Sequence, residues 1–279
     1  MKNILLPTDF SENAWNAISY ALQLFQNELC TFYVLNIYTP TIYNVEYILS
    51  NPVAYELMDI ASKISTKGLD KITQRIEKEF KNPKHIISQI SSFNTLVGEI
   101  EALHKGHVMD LIVMGTKGAT GAKKVLFGSN TVHVLNGANY PVLAVPENFN
   151  FEKPHDVLFP SDYNITFRES KLKPILDIAK QHHSRVNILH VFYGEALTQK
   201  QERNRKKLET YFKDTAYIFH RVKNKNIPEA ISEFQFKTRV NLLVMINNKH
   251  SFFENLFFKN KINQIGFHLN IPILVIPSE

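Results

Sequence analysis

The residues best suited to chemistry lie between Asp110 and Pro146. There, Gly115, Gly118, Gly128 and Ser129 follow the pattern G-x2-G-x9-G-[ST]. Because glycine has no Cβ, the backbone at such positions can approach a ligand closely. The spacing predicts a loop that closes around a chain of phosphates, and the alternative is that the glycines only shape turns.

The segments around these glycines are expected to hold them in place. The apolar run Leu111–Met114 predicts a strand that is buried on both faces. Gly128 and Ser129 then open a helix, whose first N–H groups and positive dipole end attract an anion. Ser129 has two candidate roles, as a phosphate contact or as the cap of its own helix. Lys117, inside the loop, is a further candidate contact for phosphate.

The pattern resembles the ATP-binding branch of the universal stress protein family. The resemblance extends to Ile4–Ser11, which looks like the first strand of that family with its adenosine-contacting aspartate, Asp9, and to the closing strand Pro141–Pro146. It implies that Asp9 accepts hydrogen bonds from the adenosine end and that the backbone of Ile37 faces the adenine edge. The nucleotide-binding residues implied are Pro7, Thr8, Asp9, Ile37, Met114, Gly115, Lys117, Gly118, Gly128, Ser129 and Asn130.

The resemblance implies a cytoplasmic stress-response protein that binds ATP, or ADP or AMP, and acts as a nucleotide-dependent binding and signalling module. It leaves Mg²⁺ open as a companion of the phosphates. A homodimer is implied, because the last strand of family members often pairs across a dimer. Here Val142–Val145 and Ile273–Ile276 could satisfy that need within one chain, as a pseudo-dimer.

Other functions remain open at this stage. No residue stands out as a general base near the phosphates, so we expect no catalytic residue and at most feeble ATP hydrolysis. The alternatives are a scaffold that needs no nucleotide, a very slow ATPase, and a site for AMP or a cyclic nucleotide.

The chain repeats itself. Lys2–Asp9 recurs as His155–Asp162, and Val97–Pro146 aligns without a gap on Pro228–Pro277. A repeat of about half the chain predicts two copies of one domain, at 1–147 with the intact nucleotide motif and at 153–279 in degenerate form. Strands alternate with helices in each copy, which predicts an α/β fold of two tandem doubly wound, mostly parallel five-stranded sheets with flanking helices.

The second copy keeps Asp162 but loses the glycine pattern. Side chains would project where phosphates need bare backbone, so we expect this copy not to hold a triphosphate in the manner of the family. Its phenylalanines are expected to fill the vacated pocket or to cover an interface. The replacements are Ile246, Lys249, Lys259 and Asn260, and the phenylalanines are Phe252, Phe253, Phe257 and Phe258.

A long helix is predicted over Val53–Phe80, with Gly68 as a candidate break or bend. Ser11 is predicted to cap the N-terminus of the preceding helix, which begins directly after Ser11. The apolar residues of the long helix are spaced to face a core. They are Leu57, Ile60, Ile64, Leu69, Ile72, Ile76 and Phe80.

Charge and composition exclude several classes of protein. The net charge of +6 is concentrated in the second half, notably over 200–207, but no nucleic-acid-binding motif accompanies it. The single cysteine, Cys30, excludes an intramolecular disulfide and a thiolate zinc cluster. No run of 18 apolar residues predicts a membrane span. We therefore expect no nucleic-acid partner, no membrane and no metal site.

Overall fold

The computed structural model describes residues 1–38, 52–106, 109–116, 127–137, 139–223, 226–247 and 270–277. These residues form two compact units that divide between Phe151 and Glu152. We call them unit 1 and unit 2. The segment before the division belongs to unit 1, where the rings of Phe149 and Phe151 lie 6.1 and 5.2 Å from that of Tyr20.

Unit 1 alternates strands and helices along the chain. Its strands are β1 (Lys2–Pro7), β2 (Cys30–Ile37), β3 (His85–Ser92), β4 (Leu111–Gly115) and β5 (Val142–Val145). Its helices are α1 (Glu12–Leu24), α2 (Pro52–Glu79), α3 (Leu96–Gly106) and α4 (Ser129–Gly137).

The strands of unit 1 pair in the order β3-β2-β1-β4-β5, and the described pairings within the unit are parallel. All five residues of β4 are buried, as the apolar run predicts. The chain leaves β1 towards β2 on one side and returns to β4 on the other side. The strand order therefore reverses between β1 and β4. In such sheets, ligands bind at the carboxyl ends of the strands, in the crevice where the order reverses.

The N-terminus of α1 is capped as predicted. The Ser11 hydroxyl accepts a hydrogen bond from the Ala14 N–H at 3.2 Å. One face of α1 packs on β1, β4 and β5 and is buried. The helix therefore begins directly beside the carboxyl ends of β1 and β4, at the predicted site.

Two predictions for α2 need correction. Gly68 does not break the helix, which runs continuously for 28 residues. The apolar residues were also expected to face one core, yet Leu57, Ile60 and Ile64 are 52%, 52% and 62% exposed. Only the second half of the set is buried, because only that half of the helix lies over the sheet. The buried residues are Leu69, Ile72 and Ile76.

Over its described residues, unit 2 has the same order of elements as unit 1 as far as the fourth strand. Its strands are β6 (Asp156–Pro160), β7 (Arg185–Phe192), β8 (Ala216–Lys223), β9 (Leu242–Asn247) and β10 (Ile273–Pro277). Its helices are α5 (Glu169–His182), α6 (Gln199–Phe212) and α7 (Ile227–Thr238). The strands pair in parallel in the order β8-β7-β6-β9-β10, which matches unit 1 strand for strand.

The predicted fold class is confirmed, since each unit is a five-stranded parallel sheet with flanking helices. Within the described ranges, no helix is long and apolar enough to cross a membrane.

Candidate functional site

The turn after β1 presents Asp9 at the rim of the sheet. Asp9 is exposed, and its Oδ1 accepts hydrogen bonds from the Ser11 N–H at 3.1 Å and the Ser11 hydroxyl at 2.6 Å. Phe10 adopts the left-handed conformation with φ 66°, and its N–H donates to Thr8 Oγ1 at 3.0 Å. These bonds fix the carboxylate of Asp9 in one orientation at the end of β1.

A buried side chain of β2 holds the start of this turn. The Asn36 amide donates to the Thr8 carbonyl at 2.7 Å, and the Thr8 N–H donates to the Leu35 carbonyl at 2.8 Å. Ile37 is the last residue of β2, as predicted, and is partly exposed. These hydrogen bonds therefore join the carboxyl ends of β1 and β2.

The end of β4 is tied to the start of α4. Thr131, buried in the first turn of α4, donates through Oγ1 to the Gly115 carbonyl at 2.9 Å. The Gly128 N–H donates to the Thr116 carbonyl at 2.7 Å, and the Thr116 N–H donates to the Val145 carbonyl at 3.0 Å. These bonds place the N-terminus of α4 directly over the carboxyl ends of β4 and β5.

Gly115 is required by packing within unit 1. A Cβ at this position would lie 2.8 Å from Nδ2 and 2.9 Å from Cγ and Oδ1 of Asn13, a buried residue in the first turn of α1. A real Cβ does not come this close to a neighbouring atom. Asn13 therefore joins the glycine end of β4 to the helix that follows the Asp9 turn.

The first turn of α4 begins with exposed residues. The helix starts at Ser129, as predicted, and the Gly128 carbonyl accepts the Val132 N–H at 3.0 Å. Gly128 has no side chain with which to cap the turn, and Ser129 and Asn130 are both exposed. The turn contains no acidic residue. Its N–H groups and dipole end favour an anion.

The predicted site residues that the structure describes meet at one rim. Pro7 ends β1 and is followed by Thr8 and Asp9, whereas Met114 and Gly115 end β4. The register of Ile4 with Leu111 makes these strands neighbours. Lys117 and Gly118 lie outside the described residues. Sequence reasoning missed three side chains that position the site, because no spacing signals a contact between distant elements. They are Asn13, Asn36 and Thr131.

Unit 2 repeats the backbone hydrogen bonds of this turn. The Tyr163 N–H donates to Ser161 Oγ at 3.1 Å, and Tyr163 has φ 58°. The Asn164 N–H donates to Asp162 Oδ1 at 2.9 Å. His190 takes the place of Asn36, since its Nδ1 lies 2.9 Å from the Ser161 carbonyl oxygen. The turn thus forms without the glycine pattern.

In unit 2, side chains of α6 also bond to the backbone of the turn. Gln201 Nε2 donates to the Asp162 carbonyl at 2.9 Å, and Asn204 Nδ2 donates to the Tyr163 carbonyl at 2.8 Å. The ring of Tyr163 is buried and stacks on His190 at 4.8 Å. At the position of Gly115, strand β9 continues through Ile246. The other predicted replacements and the phenylalanines, Lys249, Lys259, Asn260, Phe252, Phe253, Phe257 and Phe258, lie outside the described residues.

No group of three or more His, Cys, Asp or Glu side chains suited to a metal ion occurs in the part of the chain that the structure describes. Cys30 is buried in β2, and burial raises the pKa of its thiol to about 11. A thiol held in its protonated form is a poor nucleophile and a poor metal ligand.

The fold and the rim define a doubly wound α/β protein with a candidate anion site at its switch point. Residues 1–146 match the Universal stress protein family, and the chain belongs to that family. It is 28% identical over 153 residues to Universal stress protein MJ0577 of Methanocaldococcus jannaschii, covering 52% of this chain and 94% of the relative. Universal stress protein MJ0531 of the same organism is 28% identical over 149 residues, covering 52% and 81%.

A solved structure supports the fold of both units. The universal stress protein from Archaeoglobus fulgidus aligns with 99% of this chain and 98% of its own, with a TM-score of 0.72 and 20% identity. A putative universal stress protein from Pseudomonas aeruginosa aligns with 99% of this chain and 93% of its own, with a TM-score of 0.59 and 13% identity. At these identities the likeness concerns the fold alone.

Proposed function

We propose that unit 1 binds ATP, or the related nucleotides ADP or AMP, and that the protein acts in a cytoplasmic stress response as a nucleotide-dependent binding module. One observation carries the proposal: the oriented carboxylate of Asp9 lies at the same rim as the exposed N-terminus of α4. A carboxylate accepts hydrogen bonds from sugar hydroxyls, whereas a helix N-terminus attracts phosphate. The two groups suit opposite ends of one nucleotide.

The contrast between the units supports this assignment. Both units build the same aspartate turn, but only unit 1 has glycine where the chain leaves the fourth strand of its sheet. In unit 2 the side chain of Ile246 occupies that position in β9. We therefore assign one nucleotide to each chain.

We propose binding without efficient catalysis. Ser11 donates two hydrogen bonds to the Asp9 carboxylate and holds it within the turn. We therefore assign Asp9 a role in orienting the ligand and no role in catalysis. Any hydrolysis is expected to be slow, and Mg²⁺ would enter only with the phosphates. Phosphate release under single-turnover conditions, compared between wild type and Gly118→Val, tests this point. Release at rates typical of enzymes, about 1 s⁻¹ or more, would make the protein an ATPase.

Calorimetric titration of the purified chain with ATP, ADP, AMP and cyclic AMP tests the binding. We expect one site per chain, weakened at least tenfold by Asp9→Ala and abolished by Gly118→Val. Asp162→Ala in unit 2 is the matched control, since it removes the equivalent carboxylate from an equivalent turn. It should leave the affinity unchanged.

The titration also distinguishes nucleotide binding from the alternative function. If none of the four nucleotides binds at millimolar concentration, the glycines of unit 1 serve packing alone and the protein is a nucleotide-independent scaffold. Equal losses from Asp9→Ala and Asp162→Ala would assign the site to both units and contradict the proposal.

A further inference from the structure

Helix α2 extends beyond the sheet on which it packs. The hydroxyls of Ser65 in α2 and Ser91 in β3 lie 2.7 Å apart, and β3 ends one residue later. Further along the helix, Gln89 donates to Asp70 and Thr73 at 3.2 and 2.9 Å, so α2 runs antiparallel to β3. Residues 52–64 therefore lie past the carboxyl end of β3. At 1.5 Å per residue this overhang is about 20 Å long.

The overhang carries a stripe of exposed apolar side chains. Val53, Leu57, Ile60 and Ile64 are 64%, 52%, 52% and 62% exposed. Their spacing of four, three and four residues is that of the a and d positions of a coiled coil. Isolated exposed apolar residues are common on protein surfaces, but a continuous row of this kind marks an interaction site.

The stripe is distinct from the face that packs on unit 1. That face consists of Ser65, Leu69, Ile72 and Ile76, each of which is less than a tenth exposed. Successive residues of a helix are separated by about 100°, so a row that includes Ile64 points well away from one that includes Ser65. A strict a/d row is also narrower than the stripe of a helix that lies on a protein core. Its shape suits one partner helix.

We propose that this stripe pairs with the same stripe of a second copy of the chain, as an antiparallel helix pair about a two-fold axis between Leu57 and Ile60. A two-fold contact must be self-complementary, and this row is. Leu57 would face Ile60 of the second copy, and Val53 would face Ile64. The two layers on each side of the axis bury all the exposed apolar residues of both rows.

Charges beside the stripe favour this arrangement. Glu56 and Lys63 are exposed and each directly precedes a stripe residue, at the g position of the heptad. In an antiparallel pair, g positions face g positions, which sets Glu56 against Lys63 of the second copy and does so twice. In a parallel pair, Glu56 would instead face an alanine, Ala61. Lys63 also bonds to Asp59 within its own helix at 2.6 Å, which steadies its position.

Sedimentation velocity of the full chain over a concentration series tests the proposal. We expect a dimer whose dissociation constant rises at least a hundredfold in Ile60→Glu. Phe236→Glu is the matched control, because Phe236 is 90% exposed on α7 of unit 2 and is not part of the stripe. The control should stay dimeric. A monomeric wild-type chain, or a dimer that survives Ile60→Glu, overturns the proposal.

A charge exchange tests the contact without adding a charge to the apolar row. Glu56→Lys and Lys63→Glu should each weaken the dimer three- to tenfold, and the double variant should recover most of the loss. Far-UV circular dichroism shows whether the helix is retained. Failure of the double variant to recover the dimer, with the helix retained, overturns the antiparallel pairing.

Cross-linking checks the direction of the two helices. Leu57→Cys and Ile60→Cys are made separately, and Cys30 does not compete because it is buried with a raised thiol pKa. Under mild oxidation, the mixture should cross-link while neither variant does so alone. Cross-linking of either variant with itself supports a parallel pair, and no cross-link in any sample shows that something else, such as another segment of the same chain, covers the stripe. Either result overturns the proposal.

Discussion

The ring of Phe10 lies directly on the backbone of Gly68, so close that a Cβ on Gly68 would be 2.3 Å from Cζ of Phe10. The contact joins the turn that presents Asp9 to the middle of α2. It explains why a glycine is found inside a long helix, where it costs about 1 kcal/mol relative to alanine. The glycine makes room for the residue next to Asp9.

This contact predicts that Gly68→Ala changes the free energy of unfolding in opposite directions with and without the Phe10 ring. Gly68→Ala should lower the free energy of unfolding by about 1–2 kcal/mol, because the overpacking at Phe10 outweighs the gain in helix propensity. In the background Phe10→Ala the same substitution should raise it by up to about 1 kcal/mol. Urea unfolding of the four proteins, followed by circular dichroism, gives the coupling. Equal effects in both backgrounds would show that Phe10 does not occupy the space above Gly68.

The second prediction concerns Asn36, which donates to the buried Thr8 carbonyl at 2.7 Å. Asn36→Leu leaves that carbonyl without its donor and should destabilise unit 1 by about 1–3 kcal/mol. Asn36→His should be milder, since His190 makes the equivalent contact with the Ser161 carbonyl in unit 2. Thermal unfolding compares the two variants. Equal losses would mean that the two units do not share this bond.

The third prediction is a dependence of stability on pH. Burial, more than any other influence, lowers the pKa of His85 below its ordinary value of 6.5. In the neutral ring, Nε2 donates to the Phe25 carbonyl at 3.1 Å, whereas Nδ1 is buried and without a hydrogen-bond partner in the described structure. A proton on Nδ1 would thus be a buried donor without an acceptor.

The sign follows from linkage. The unfolded chain takes up the proton at about pH 6.5, before the folded chain does, so the contribution of His85 is complete above that pH. It decreases as the pH falls towards the lowered pKa, with a slope of at most about 1.4 kcal/mol per pH unit. Urea midpoints measured from pH 7.5 to 4.5, for wild type and His85→Gln, test this. A difference between them that does not change with pH contradicts it.

Local patterns were enough to predict the elements of the fold, because the apolar runs of β1 and β4 and the cap at Ser11 act within a few residues. They failed for α2, where apolar spacing shows that a face exists but not what covers it. Leu69 and Ile64 look alike in sequence, yet only Leu69 lies over the sheet. For the candidate site, local patterns predicted only the residues at the strand ends and at the start of α4. The contacts of Asn13, Asn36 and Thr131 depend on strand order, which no local spacing encodes.

The last prediction separates two roles of Gly115. Sequence reasoning gave it a role in turning the chain beside the phosphates, and the structure shows Asn13 filling the space where its side chain would be. Gly115→Ala should therefore destabilise unit 1 by about 1–3 kcal/mol, as overpacking does, and reduce ATP binding. Asn13→Ala removes the atoms in conflict. The double variant Asn13→Ala/Gly115→Ala should recover stability relative to Gly115→Ala.

Calorimetry on that double variant then decides between the roles. If ATP affinity returns with stability, Gly115 serves the site only by packing against α1, and the phosphates depend on the open end of α4. If stability returns but affinity stays at least tenfold low, the ligand itself needs the bare backbone at Gly115. Thr131→Ser, which keeps the hydroxyl that donates to the Gly115 carbonyl, is the control and should retain both properties. Failure of the double variant to recover stability would contradict the close contact between Asn13 and Gly115.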